Sequence, residues 1–439
     1  MAVPQLVRPL VRPFAEFFRR EAAGSIVLLL SAALALLLAN TSWGPARYFP
    51  AVWDEHFRLS FGQLVLDKSL LHWINDGLMT VFFLIVGLEI KREMLDGELA
   101  SVRQAALPIA GALGGMLVPA LLYAVFNHGT ATAGGWGIPM ATDIAFALAA
   151  LQLLGSRVPL GLKVFLTALA IVDDLGAVLV IAGFYTQEIH LPYLLAALGV
   201  WLALLGLNLL GARSLWLYLL LGVVLWYCTL ESGIHATLAG VLLAVAIPAR
   251  IGQARPALLR LLEERLRFIS LEAHARDADP RTISEELEEL SERISSPAQK
   301  LEQRLHSVVA FGIIPLFAFA NTSLTLDGSV FGQLTSPLAL GILAGLVVGK
   351  PLGIGTLAWL TVRLGWAALP AGVTWRQLWG AGLLGGIGFT MSLFVTLLAF
   401  GVHSSAEAVA KLAILLASGL AGTLGWLWLR AVPAPAEAG

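Results

Sequence analysis

The sequence predicts an all-α polytopic membrane protein of about twelve transmembrane helices. Three observations predict it. First, of 439 residues 58% are hydrophobic and 13% charged, with mean hydropathy +0.82, where a soluble domain carries about 25% charged residues. Second, apolar stretches near the ~17–25 residues that cross a bilayer recur along the chain. They fall at 22–40, 70–92, 104–126, 134–153, 160–185, 191–211, 214–230, 233–248, 304–325, 337–361, 376–400 and 407–430, and are called spans one to twelve. Third, Lys and Arg are unevenly divided between the connecting segments. With the N-terminus inside, the inside segments hold 23 and the outside loops 4; without the long loop after span eight the split is still 13 to 4. The positive-inside rule then puts both termini in the cytoplasm.

The implied organisation is a cytoplasmic leader (1–21), spans one to eight (22–248), a charged cytoplasmic loop (249–303), spans nine to twelve (304–431) and a cytoplasmic tail (432–439). In the leader, Arg8, Arg12, Arg19 and Arg20 precede an apolar run at 24–39, as in a signal peptide. The run ends in LLLANTSW, without a small-x-small cleavage site, so it reads as a retained first span. In the external loop at 41–69, RYFPAVW and RLSFGQLVL are β-prone pieces either side of a polar break at 54–56, which predicts a hairpin. In the charged loop, ISEELEELSERI predicts an amphipathic, solvated helix. The sole cysteine, Cys228, excludes an internal disulfide and a thiolate metal cluster. A net charge of −1 gives no basic surface for nucleic acid.

The stretch 136–185 organises the rest. Span four, WGIPMATDIAFALAALQLL, carries Asp143 at its middle, and span five, KVFLTALAIVDDLGAVLVIAGFY, carries Asp173 and Asp174. A charge at the centre of a membrane helix costs about 2.5–3.5 kcal/mol on insertion scales. Three of them call for a wet cavity, an ion or a counter-charge. Asp173 and Asp174 are adjacent, so they diverge by about 100° around a helix and one can face a cavity while the other faces a partner helix. Lys350, in LVVGKPLG of span ten, is the cation at depth and the evident counter-charge, whether for function or merely to hold helices together. Asp76 and Glu89 are further carboxylates within span two. Glu89 and Glu93 share one helical face, with Lys91 and Arg92 between them, as a membrane-end charge cluster or an ion funnel. His235, opening span eight, belongs to the residue type that titrates near neutrality.

Hard oxygen ligands suit small alkali ions, and carboxylates also take protons. A free aspartate has a pKa of about 3.9, and desolvation beside another carboxylate raises such a group toward neutrality. Protons and cations then compete for one site, which is the minimum chemistry of an antiporter. Spans four and eleven (LWGAGLLGGIGFTMSLF) also share small, helix-weakening residues and a Thr at mid-span. Paired breaks in two halves point to a transporter site. At such breaks Asp143 can face the positive ends of half-helices and Lys350 the negative ends.

The motifs HWINDGLMTVFFLIVGLEIKRE, ATDIAFALA, ALAIVDDLGA, SGIHATLAG, IPLFAFAN, GKPLGI and GIGFTMSLF resemble the NhaA-type sodium/proton antiporter family. The resemblance runs in order from about residue 14 to 428. It implies twelve helices, with spans three to five and ten to twelve as inverted-topology repeats and with the broken spans four and eleven crossing at mid-membrane, as is described for that family. It implies Asp173 and Asp174 as the central sodium- and proton-exchanging carboxylates, Asp174 being the more directly bound to the ion. Thr142 and Asp143 would lie at the span-four break, Lys350 would pair with Asp173, and Asp76 would lie on the outer pathway. Glu89, Glu93, His235 and Glu302 would form the cytoplasmic funnel and pH-response region. The 41–69 hairpin would make a homodimer contact. The chain departs from the family type in having Gln303 where a second histidine stands beside the matching glutamate, and in a longer 255–296 insert.

The expected function is therefore pH-regulated, electrogenic exchange of sodium, and of lithium, for protons in the inner membrane. The surrounding partner is the lipid bilayer, and no cofactor or enzymatic activity is expected. The alternative is a sodium-coupled solute symporter on a related inverted-repeat fold, which would need an organic-substrate pocket with polar side chains that the spans scarcely offer. An intramembrane aspartyl protease would need a GxGD-type motif, and none occurs; GIGF at 386–389 lacks the acid. A retinal Schiff base at Lys350 fails on span number and on the lack of an aromatic box.

Overall fold

A computed structural model describes residues 8–41, 48–62, 64–186, 188–249, 296–402 and 404–433. The amphipathic helix expected at ISEELEELSERI lies outside the described residues. Among those described, eight helices are long and apolar enough to cross a bilayer. The pair Trp375–Gly385 and Phe389–Phe400, bent by 44°, makes a ninth crossing. Spans one and seven are present as the shorter apolar helices Ala23–Ala39 and Leu215–Glu231, and span eight as Leu238–Ala246. Each of the twelve expected spans thus contains helix, and the protein is a polytopic helical membrane protein.

Helix ends differ from expectation where caps decide them. The first helix runs from Arg8 to Ala39, reaching back into the expected leader. The helix of span nine begins at Pro297, ahead of the expected 304, because Ser296 and Gln299 form a reciprocal capping box. Span twelve, Ser405–Ala431, is capped by Ser404. Its Lys411, one of the four Lys and Arg residues counted above for the outside loops, is buried one turn from Glu407, with Nζ 2.6 Å from Oε1. Lys350 is therefore not the only buried cation, and the outside loops are poorer still in positive charge.

Spans three (Val102–Asn127) and ten pack backbone on backbone. A Cβ at Gly114 or at Gly353 would stand 2.0 Å from the other's carbonyl oxygen. Such small-residue contacts let membrane helices approach closely, and here the contact holds Lys350, one turn before Gly353, against span three. Three spans also widen locally into π-helix, at Trp73–Leu78, Val309–Ile313 and Ala344–Gly349. Wide turns of this kind concentrate at functional sites. One of these contains Asp76, and another ends immediately before Lys350.

The hairpin forms, but not with its turn at 54–56. Strand β1 (His56–Phe61) pairs antiparallel with β2 (Leu64–Ser69), from His56↔Ser69 to Phe61↔Leu64. The chain reverses after Phe61, where Gly62 takes a φ of 60° that disfavours other residues. The first β-prone piece instead gives the short helix Phe49–Val52, whose Pro50 presets the first turn.

Candidate functional site

Spans four and eleven are both interrupted, and the interruptions touch. Span four is a 3₁₀ segment, Ala133–Met140, then non-helical residues 141–143, then the α-helix Ile144–Leu153. Span eleven breaks at 386–388, between its two helices. The backbone N–H of Asp143 donates to the carbonyl of Ile387 at 2.7 Å, so each gap satisfies part of the other. Backbone left unpaired at membrane depth would cost several kcal/mol per group, roughly.

The Asp143 carboxylate caps both half-helices that start here. Oδ1 accepts from the Phe146 amide at 3.2 Å, and Oδ2 accepts from the amide of Thr390 at 3.1 Å and from its hydroxyl at 2.5 Å. Anions are stabilised at helix N-termini, where amides point outward unpaired. Thr142 serves the opposite polarity: its hydroxyl donates to the carbonyl of Gly385, the last residue of Trp375–Gly385, at 2.8 Å.

Lys350 completes the crossing. Its Nζ donates to Oδ2 of Asp173 at 2.6 Å and to Oγ1 of Thr142 at 2.8 Å, and both charged side chains are fully buried. The ammonium thus meets the half-helix carbonyl end through the Thr142 hydroxyl, not by the direct approach that the sequence suggested. A charge-assisted bond to Asp173 offsets part of the cost of burying it.

Asp174, next along Leu160–Phe184, is also buried, but its Oδ1 has no hydrogen-bond partner among the described residues. It lines a narrow cleft of about 60 Å³ with Ser25, Ala145, Glu89 and His306. A water needs about 10–15 Å³ on this measure, so the cleft has room for a few waters or a partly hydrated small cation. Asp173 and Asp174 therefore diverge as a helix requires, one toward Lys350 and one toward the cleft. His306 was not singled out in the sequence, although it lies one turn beyond Glu302.

Past Glu89, span two gathers the other charged residues. Arg92 pairs with Glu302 from Pro297–Val308 and lies 3.2 Å from Glu93. Lys91 donates to the carbonyls of Val245 at 2.7 Å and Ala244 at 3.2 Å, capping the end of span eight. Glu93 and Glu302 are thus brought together by Arg92, a role the sequence did not reveal because it needs a partner more than two hundred residues away.

His235 does not join that cluster. Its Nδ1 is 3.8 Å from Oδ1 of Asp76, at the opposite end of span two. Thirteen residues separate Asp76 from Glu89, about 20 Å of helix. The reason is the parallel course of spans two and eight, which sets the start of one beside the start of the other. His72 Nε2 lies 2.8 Å from Oδ2 of the same Asp76. The i,i+4 spacing of His72 and Asp76 was readable and would have flagged this pair.

A family model described as Na+/H+ antiporter 1 matches residues 15–429. The chain belongs to the Na+/H+ antiporter 1 family. It is 49% identical over 437 residues to the Na(+)/H(+) antiporter NhaA of Oleidesulfovibrio alaskensis, covering 98% of this chain and 96% of that one. It is similarly 49% identical to proteins of the same name from Pectobacterium carotovorum, over 95% of each chain, and Acidithiobacillus ferrooxidans, over 96% of this chain and 97% of that one. The Na+/H+ antiporter 1 match takes in every site residue described above, from Ser25 to Thr390.

Proposed function

We propose that the protein exchanges sodium, and lithium, for protons across the cell (inner) membrane, with cation and proton competing for Asp174 and Asp173. The observation that carries this reading is the asymmetry of the two carboxylates. One is neutralised by Lys350, while the other is buried against a cleft without a countercharge bonded to it. A carboxylate so situated is stable when protonated or when holding a cation. Exchange is electrogenic where the pair releases more protons than it takes up cations. The small cleft favours a bare or partly hydrated ion over the organic solute of a symporter.

The charge distribution between the loops supports cytoplasmic termini, the Arg92–Glu302 end facing inward and the hairpin end facing outward. On that orientation Glu89, Glu93 and Glu302 flank the inner entry and contribute to pH regulation, while Asp76 lies on the outer pathway. The exposed hairpin supports a homodimer contact. The protein acts within the lipid bilayer, without a cofactor, nucleic acid or enzymatic step. The test is sodium-driven proton movement in everted membrane vesicles across pH. Exchange that requires sodium alone supports the reading, and strict dependence on an added organic solute would favour the symporter.

A further inference from the structure

The cluster around Asp76 contains a group that neither the exchange site nor the inner-end ion pairs use. His72 and His235 address the two oxygens of one carboxylate, at 2.8 Å and 3.8 Å. They come from separate segments, His72 from the turn just before the π-helical stretch and His235 from the start of span eight. Their exposures differ: the His72 side chain is 38% exposed, against 17% for His235 and 13% for Asp76. His72 is thus the most exposed member of the cluster as a ring, while its Nε2, facing Asp76, is itself shielded from solvent.

We propose that His72 is a positioning residue for Asp76: protonated from the hairpin side, it pins the carboxylate and withdraws it from cations entering there. This rests on the reading that Asp76 lies on the outer pathway. With both imidazoles neutral the cluster carries one negative charge and attracts cations; a proton gained by His72 cancels that charge and removes the attraction. The step is a proton gain at a ring nitrogen and needs no other reactant.

Other charged groups among the described residues lie around the cluster. The hairpin carries Arg58, Lys68 and the His56–Asp67 pair, the last closed on itself at 2.8 Å. Asp54 and Glu55 precede it, and the backbone carbonyl of Glu55 accepts from the Leu70 amide. Glu231 ends span seven, and Glu188 and His190 lie against the turn that leads to His235. The packed faces of Ile314–Asn321 and Phe389–Phe400 bring no ionisable side chain. The charges acting on His235 are those of Asp76 and His72. The ring of His235 also meets Phe394 edge-on at 6.2 Å, one turn beyond Thr390, so the cluster packs directly on the broken span.

The test uses the full chain in proteoliposomes with inner pH fixed, measuring the external sodium concentration for half-maximal uptake while external pH is varied from about 5.5 to about 8. Competition at the central carboxylates weakens affinity at acid pH in every variant. Beyond that shared slope, the wild type should lose a further roughly fivefold. His72→Gln, which keeps a hydrogen-bonding side chain but cannot titrate, should lose this extra slope and match the wild type at alkaline pH. His72→Lys should hold the weak-affinity state across the range, and Asp76→Asn should flatten the profile with no further effect from His72→Gln. A merely structural role would lower uptake equally at all pH values. A His72→Gln or His72→Asn profile parallel to the wild type would overturn the proposal while leaving exchange itself intact, whereas a wild type that exchanges nothing would overturn the transport reading instead.

Discussion

The ammonium of Lys350 and the carboxylate of Asp173 form an ion pair with an N–O distance of 2.6 Å between two wholly buried side chains. Removing one partner of such a pair strands the other. Lys350→Ala should therefore destabilise the protein by about 3–5 kcal/mol, well beyond the effect of a surface lysine substitution. Lys350→Arg should retain more stability and more exchange, since it keeps the charge. Thermal melts in one detergent check this, and equal melting temperatures for wild type and Lys350→Ala would refute a structural role.

Asp174→Asn should abolish exchange, because an amide cannot release the proton that the cation replaces. Asp173→Asn should impair exchange with a smaller loss of sodium binding, since Asp173 already has Lys350 for a partner. Sodium-driven dequenching in vesicles and a direct binding measurement separate the two. Wild-type dequenching in Asp174→Asn would sink the assignment.

Asp143→Asn should weaken apparent sodium affinity without eliminating exchange. The asparagine keeps one acceptor oxygen, but its NH₂ must face a helix N-terminus where Phe146 or Thr390 now donates. Thr390→Val, which removes the hydroxyl donor alone, should show a milder version. A full loss in Asp143→Asn, with normal insertion, would mean that the carboxylate binds the ion itself.

Because protons and sodium compete, the half-saturating sodium concentration should rise as pH falls, by up to about tenfold per unit where one proton competes. The sign follows from the site: the protonated carboxylate cannot hold a cation. A sodium requirement that does not change with pH in everted vesicles would count against a shared site.

Replacing 57–68 by a two-residue turn should leave an active but more monomeric protein. His56 and Ser69 are paired across the base of the hairpin, so the ends are close enough to join. Unchanged dimer mass in detergent would exclude the hairpin as the contact.

The order and number of spans were legible because twenty apolar residues leave a plain trace in any sequence. Asp143, Asp173, Asp174 and Lys350 were legible for the converse reason, as charges where charge is costly. What sequence reports poorly is direction around a helix and the partner across it. Hence Lys350 could be matched with Asp173, but its bond to Thr142 could not be seen. Arg92 looked like one member of a membrane-end charge cluster and is the link between Glu93 and Glu302. His235 was grouped with residues about 20 Å away, because a motif records position along one span and not which end of its neighbour it meets.

The widened turns in spans two, nine and ten carry a mechanical consequence. In an α-helix each carbonyl has one fixed partner, and sliding the segment breaks every bond at once. A single wide turn can instead migrate, each carbonyl handing its amide to the next, so that the stretch it passes advances by about 1.5 Å and rotates by about 100° per step. The turn at Ala344–Gly349 ends where Lys350 begins. A creeping register shift there would carry the ammonium away from Asp173 without unfolding the helix or swinging it as a rigid lever. Amide hydrogen exchange would register such a shift as faster exchange at 344–349 than in the flanking α-helical turns, and faster still when sodium and protons are both available.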